Sequence, residues 1–164
     1  MNFEANGMLL AGFHDCSVND FITTFVDGFP TSQRRKFITE ALWDFAEEIF
    51  KIDVPYEFWI DGSFATTKIN PNDADIIVFL QEPALKILGP RFLDFRNKYN
   101  GVLDIYFSCA VSPESQKELS PNDYQKIVNN RNYWRGQFGF DRNDIPKGIV
   151  RIDCDSLKEY LKGR

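Results

Sequence analysis

The sequence predicts an α/β (α+β) protein in which a small, mixed central β-sheet is flanked by helices. Three observations point there. Apolar residues recur at helical spacing through the first fifty positions, the run Ala74 to Leu80 is almost wholly apolar as in an interior strand, and helix and strand signals then alternate in the order ααββαβαβα. A length of 164 residues fits one domain, 1–164, and a composition 43% hydrophobic with 16 Phe supplies a core without disulfides or a structural metal.

The elements follow in order. Ser17, with Asp20 three residues later, makes a capping-box-like start for a short amphipathic helix carrying Phe21, Ile22, Phe25 and Val26, ended by Gly28 and Pro30. A longer helix begins at Thr31 or Ser32, with Ile38, Leu42, Phe45, Ile49 and Ile52 forming one stripe suited to covering a sheet. Tyr56 to Asp61 and Ala74 to Leu80 read as strands, and VLDIYFS at 102–108 as a third. Between the last two, Ala84 to Tyr99 reads as helix interrupted at Gly89-Pro90. Ser120-Pro121-Asn122-Asp123 supplies a cap, a first-turn proline and an acid, opening a helix expected to reach about Asn130. Gly148 to Asp153 reads as a last short strand, and Ser156 to Lys162 as a final helix capped by Asp155.

Several classes are excluded or disfavoured. The longest apolar run is Ile76 to Leu80, far below the roughly 20 residues of a membrane span. The opening MNFEANGMLL lacks a basic stretch, so a cytoplasmic protein is expected. Cys16, Cys109 and Cys154 are widely spaced without a ligand pattern, and read as reduced thiols. Residues 1–125 carry 10 Lys and Arg against 19 Asp and Glu, whereas residues 126–164 carry 9 against 5. The net charge of −5 speaks against non-specific duplex DNA binding, while a small anion such as a nucleoside triphosphate stays compatible.

The chemistry concentrates in Ile60 to Leu80, IDGSFATTKINPNDADIIVFL. Gly62-Ser63 follows a strand, where a glycine lets backbone approach a ligand and a serine offers donors to phosphate oxygens. Ten residues on, Asp73 and Asp75 stand at alternate positions, so both face one side about 6.6 Å apart. Two carboxylates on one face repel unless a cation lies between them. Asp73 also belongs to good turn chemistry in Asn70-Pro71-Asn72-Asp73, at the mouth of its strand. Asp104 interrupts the apolar strand VLDIYFS and needs a partner or a metal unless that strand is an edge with the carboxylate facing solvent. If its strand neighbours that of Asp75, three carboxylates converge, an oxygen donor set suited to Mg²⁺ or Mn²⁺ shared with a triphosphate. Lys68 reads either as a phosphate contact or as simply exposed.

With these motifs, Gly62-Ser63-Phe64, Asp73-Ala74-Asp75-Ile76 and Leu103-Asp104-Ile105, the sequence resembles the nucleotidyltransferase superfamily, the DNA polymerase beta-like fold. The resemblance spans residues 56–108 and is closest to small stand-alone bacterial members, some of which act in toxin-antitoxin or phage-defence pairs. It implies that Asp73 and Asp75 hold two metal ions, that Asp104 ligates one and helps activate the attacking hydroxyl, and that Gly62-Ser63 binds triphosphate. The activity implied is transfer of NMP from an NTP to a hydroxyl on a protein, a tRNA or a small molecule. The alternative is a non-catalytic protein of the same fold that binds a nucleotide or a partner protein. A metal-dependent phosphohydrolase or nuclease would share the acids without needing the Gly-Ser turn. Where the family often has a short helix, Ile69-Asn70-Pro71-Asn72 reads here as a turn.

Outside that region, Arg131 to Arg151 mixes Arg131, Arg135, Arg142, Lys147 and Arg151 with Tyr133, Trp134, Phe138 and Phe140. It reads either as a base-stacking and cationic segment or as a loop pinned under a basic face by its own aromatics. Arg34-Arg35-Lys36 reads as the solvated start of a helix, and His14 as a structural or surface histidine.

Overall fold

A computed structural model describes residues 1–164. It contains one five-stranded sheet built from β1 (Gly12–Cys16), β2 (Glu57–Asp61), β3 (Ala74–Leu80), β4 (Leu103–Cys109) and β5 (Gly148–Ile152). The strand order is β1-β5-β2-β3-β4. β1 runs parallel to β5 and β3 parallel to β4, while β2 is antiparallel to both of its neighbours, so the sheet is mixed. Seven helices flank it: α1 (Val18–Ile22), α2 (Gln33–Phe50), α3 (Glu82–Leu88), α4 (Phe92–Lys98), α5 (Pro113–Glu118), α6 (Pro121–Gly139) and α7 (Cys154–Lys162). No helix is long and apolar enough to cross a membrane.

Side chains alternate across each strand, so the sheet has two unlike faces. On one, Phe58 and Ile60 of β2, Ile76, Val78 and Leu80 of β3, Ile105 of β4 and Val150 of β5 join the main core with α1, α2 and α7. The stripe expected on α2 is there, with Ile38, Leu42, Phe45 and Ile49 fully buried; Ile52 lies beyond the helix. Truncating such a residue to alanine costs about 2–5 kcal/mol. On the other face a smaller cluster gathers Trp59, Ile77, Phe79, Ile149 and Ala110 under Phe138 of α6, with Trp134 and Tyr106 at its margin.

The caps behave as their chemistry dictates. The Ser17 hydroxyl accepts from the Asp20 N–H and the Asp20 carboxylate accepts from the Ser17 N–H, a complete capping box; after α1 the chain continues as a π-helical turn over Thr23–Asp27 that ends at Gly28. Ser32 and Ser120 cap α2 and α6. The break at Gly89-Pro90 is a short 3₁₀ turn, Gly89–Arg91, between α3 and α4.

Two elements were not expected and three expectations need correction. β1 and α5 were not legible, because GFHDC has only mixed alternation on an edge strand and PESQKE is too short and polar to show a period. α6 does not stop near Asn130 but runs to Gly139, since Trp134 and Phe138, one turn apart, dock on the sheet and carry the helix through residues that read as loop. α7 begins at Cys154 with Asp153, not Asp155, as its cap; the Asp153 carboxylate accepts from the Ser156 N–H. Arg35 is not a solvated residue but fully buried, and only Lys36 of that trio is exposed.

Candidate functional site

Register decides the centre of the site. Asp61, the last residue of β2, lies directly across from Asp75 on β3, and Asp75 lies directly across from Asp104 on β4. Adjacent strands are about 4.8 Å apart, so three carboxylates stand in a row across one end of the sheet, on the face covered by α6. Asp73 sits just ahead of β3 and lines the same cavity. That cavity, of about 780 Å³, brings together all six candidate residues: Gly62, Ser63, Lys68, Asp73, Asp75 and Asp104.

The three carboxylates of the row have different surroundings. Burial pushes Asp75 up to about 6, and the neighbouring charges of Asp73 and Asp104 push the same way; Lys147 and Arg142 oppose them without a direct hydrogen bond. Asp104 accepts a 2.6 Å hydrogen bond from the Tyr106 hydroxyl and a 3.3 Å contact from Arg96. Both Arg96 and Asp104 are substantially exposed, so that ion pair is worth at most about 1 kcal/mol and can give way to a stronger cation. Asp61 is buried, and Lys147 Nζ reaches its Oδ2 at 2.5 Å while Oδ1 has no partner. Burial pushes Asp61 up to about 7 despite the lysine.

Beside this row the chain turns sharply. Gly62 has φ +77, and a Cβ there would overlap the Asp75 carboxylate, so both backbone and space demand glycine. Gly62–Ala65 forms a short 3₁₀ turn, and 69–72 is irregular, as its turn chemistry predicts. Ser63 Oγ is buried without a hydrogen-bond partner. Thr66 Oγ1 donates to the Ser63 carbonyl and accepts from the Lys68 N–H, tightening the turn. Behind it lies Arg35, which donates to the carbonyls of Phe64, Thr66 and Lys68 as well as Phe25. Arg34 donates to the carbonyls of Asn72 and Gly101, tying the approach to Asp73 to the approach to β4.

The opposite wall comes from α6 and the segment after it. Tyr133, Trp134, Gln137 and Phe138 of α6 face the carboxylates, followed by Phe140, Arg142 and Lys147. Trp134 packs on Tyr106 with ring centroids 4.6 Å apart, connecting this wall to Asp104 through the tyrosine hydroxyl. The C-terminal basic segment therefore divides. Arg142 and Lys147 reach the cavity, whereas Arg131 and Arg151 pair with Glu57 at the far end of the sheet. Arg142 and Lys68 both line the cavity, and neither makes an ion pair within 4 Å.

These donors fit a hard divalent cation by type: oxygen-only, aspartate-rich and facing water. No three acidic, histidine or cysteine side chains close around a single point, so the protein alone builds no complete cage. Mg²⁺ is usually held by one or two carboxylates with waters and substrate phosphates, and the unpaired Asp75, repelled by Asp73 and Asp104, is the group a cation would relieve most. Two contributors, Asp61 and Tyr106, escaped sequence reasoning, and a third, Lys147, was named without its partner. Asp61 read as a strand end, Tyr106 as one residue of the strand VLDIYFS, and Lys147 as one cation among five; only the alternation of β2, which puts Asp61 on the face of Trp59, hinted at the first.

Comparison with known families adds one finding. The chain belongs to DUF6932, described as a family of unknown function. The match covers residues 1–153, which takes in all five strands, the acidic row and the whole cavity wall, and stops where α7 begins. No curated protein and no solved structure matches the chain.

Proposed function

We propose that this protein is a metal-dependent nucleotidyltransferase that moves NMP from an NTP to a hydroxyl on a protein, a tRNA or a small molecule. The observation that carries the reading is the juxtaposition of Gly62-Ser63 and Asp104 on either side of Asp75, with Asp73 on the same cavity wall. The resemblance in sequence requires those motifs to meet, and nothing in their spacing along the chain obliges them to.

Mg²⁺ or Mn²⁺ bound there would supply positive charge to the attacking and leaving oxygens of an in-line displacement. The protein's own groups do the rest. Asp73 and Asp75, with Asp104, would offer the carboxylate oxygens that hold the cations. Asp104, steadied by the Tyr106 hydroxyl, orients the acceptor hydroxyl and takes its proton as the bond from that oxygen to the α-phosphorus forms. The bond from the α-phosphorus to the bridging oxygen breaks, and pyrophosphate leaves against Ser63, Lys68 and Arg142. Tyr133 and Phe140, both large and exposed on the opposite wall, give a base a surface on which to stack.

The test is calorimetric titration of ATP, GTP, CTP and UTP with and without Mg²⁺, into the wild-type protein and an Asp73→Asn/Asp75→Asn variant. Magnesium-dependent binding that the variant loses is expected. A folded wild-type protein that binds none of the four sinks the proposal and favours the non-catalytic alternative, a partner-binding protein of the same fold.

A further inference from the structure

Arg35 is the one arginine of this chain that is fully buried, and its surroundings are unusual. No carboxylate lies within 4 Å of it; each of its donors goes instead to main-chain carbonyls. Nη1 donates to Phe25 at 3.1 Å and to Phe64 at 2.8 Å, Nη2 to Thr66 at 2.6 Å and to Lys68 at 2.7 Å, and Nε to Lys68 at 3.2 Å. The guanidinium lies 3.9 Å from the centroid of the Phe29 ring and 5.0 Å from that of Phe64, within cation–π range of both. Its own position is set by α2, whose cap Ser32 accepts from the Arg35 N–H and donates to Asn70 in the irregular stretch before Asp73.

A buried charge with no counter-ion is costly, and carbonyl dipoles compensate it only in part. Burial pulls the guanidinium down to about 10, which leaves it protonated at neutral pH. Besides that of Phe25, the carbonyls it gathers belong to 64, 66 and 68 of the turn, and of the same turn Gly62, Ser63, Thr66 and Lys68 line the cavity. In a trans peptide the carbonyl and the following N–H point opposite ways. Fixing those carbonyls on the arginine therefore turns the N–H groups of 65, 67 and 69 away from it, and that of Thr67 is taken by the Gly7 carbonyl at 2.8 Å.

We infer that Arg35 is the positioning residue of the Gly62–Lys68 turn: its planar fork sets the turn's shape, and its charge, which no carboxylate neutralises, favours a phosphate on the cavity side of the turn. This rests on the nucleotide reading above and adds to it the source of the turn's shape and of its positive potential. Arg35 touches no substrate; it acts through the backbone it holds. A lysine keeps the charge but cannot make five hydrogen bonds in one plane.

The experiment compares the wild-type protein with Arg35→Lys, and with Phe29→Leu, which keeps the fork but removes the ring under it. Three quantities are measured on each: the affinity for Mg·ATP and for Mg·pyrophosphate, the affinity for adenosine, and amide hydrogen exchange over 62–69. Expected for Arg35→Lys is at least a tenfold loss of ATP and pyrophosphate affinity, little change for adenosine, and faster exchange confined to the turn. Phe29→Leu should show the same pattern at a few-fold level, and decides the matter if Arg35→Lys does not fold. Unchanged phosphate affinity in a folded variant with altered exchange would make Arg35 merely structural and overturn the inference while leaving the nucleotide reading intact. Equal losses for adenosine and ATP would overturn it too. Wild-type protein that binds neither ATP nor pyrophosphate overturns the functional reading, and this one falls with it.

Discussion

A Cβ on Gly62 would collide with the carboxylate of Asp75, and the same glycine has φ +77. Closeness of backbone to carboxylate and a left-handed turn are thus met by one residue that has no side chain. Gly62→Ala should cost about 1–2 kcal/mol from the backbone alone. It should cost more through displacement of Asp75, visible in denaturant unfolding as a lower midpoint. Nucleotide affinity should fall further than stability does, and an alanine variant with wild-type midpoint and affinity would contradict the geometry.

Asp75 carries a testable pH signature. Its folded-state value, about 6, lies above the ordinary 3.8, so the ionised form is disfavoured by folding. The sign follows: stability from this group is fully present below about pH 4 and is lost as pH rises through about 6. Asp75→Asn should therefore raise the melting temperature at pH 7–8, on the order of 1–3 kcal/mol in stability, and the gain should shrink towards zero near pH 4. The same variant should lose magnesium-dependent nucleotide binding. Thermal unfolding of both proteins across pH 4–8 checks this, and a variant less stable at pH 8 would show that Asp75 has a stabilising partner.

Lys147 and Asp61 form a buried pair 2.5 Å apart, one from the segment after α6 and one from the end of β2. Breaking such a pair from one side strands a buried charge and costs about 3–5 kcal/mol. Lys147→Met should be destabilised by about that much at pH 8. Because Asp61 already sits at about 7, the deficit should lessen as the pH drops and the lone carboxyl takes up a proton. Lys147→Met/Asp61→Asn should recover most of the loss, which a double-mutant cycle measures directly.

Tyr133 is 56% exposed on the cavity wall, so its removal leaves the core untouched. If it stacks on a base, Tyr133→Ala should weaken ATP binding by about 1–3 kcal/mol with an unchanged melting temperature. Pyrophosphate affinity should not move. An equal effect on both ligands would put Tyr133 near the phosphates instead.

Much of this was legible along the chain. The bounds of β3, the caps Ser17 and Ser120, and the buried stripe of α2 all follow from periods and hydrogen-bonding side chains that act within one turn or one strand. The acidic residues also stood out along the chain, Asp73 and Asp75 by their close spacing and Asp104 as a carboxylate among Val, Leu and Ile, though Asp73 lies ahead of β3 and reaches the cavity from there, not by strand alternation. What escaped depended on distant partners. Arg35 is charged in an exposed-looking trio, and only the carbonyls of Phe25, Phe64, Thr66 and Lys68 explain its burial. Residues 131–139 looked like loop because Gly136 and Gly139 lower helix propensity, which docking of Trp134 and Phe138 on the sheet overrides.

By itself the sequence determined most of the segments that become helices and strands, β1, α5 and the second half of α6 excepted, and which side chains share a face of their own strand. Those are consequences of local periodicity and capping, felt over a few residues. Only the tertiary structure decided that β2 and β4 flank β3, so that Asp61 and Asp104 stand on either side of Asp75, and that α6 closes the cavity over them. Strand order depends on long-range pairing and on the burial of two sheet faces at once. No local pattern encodes which strand will be the neighbour.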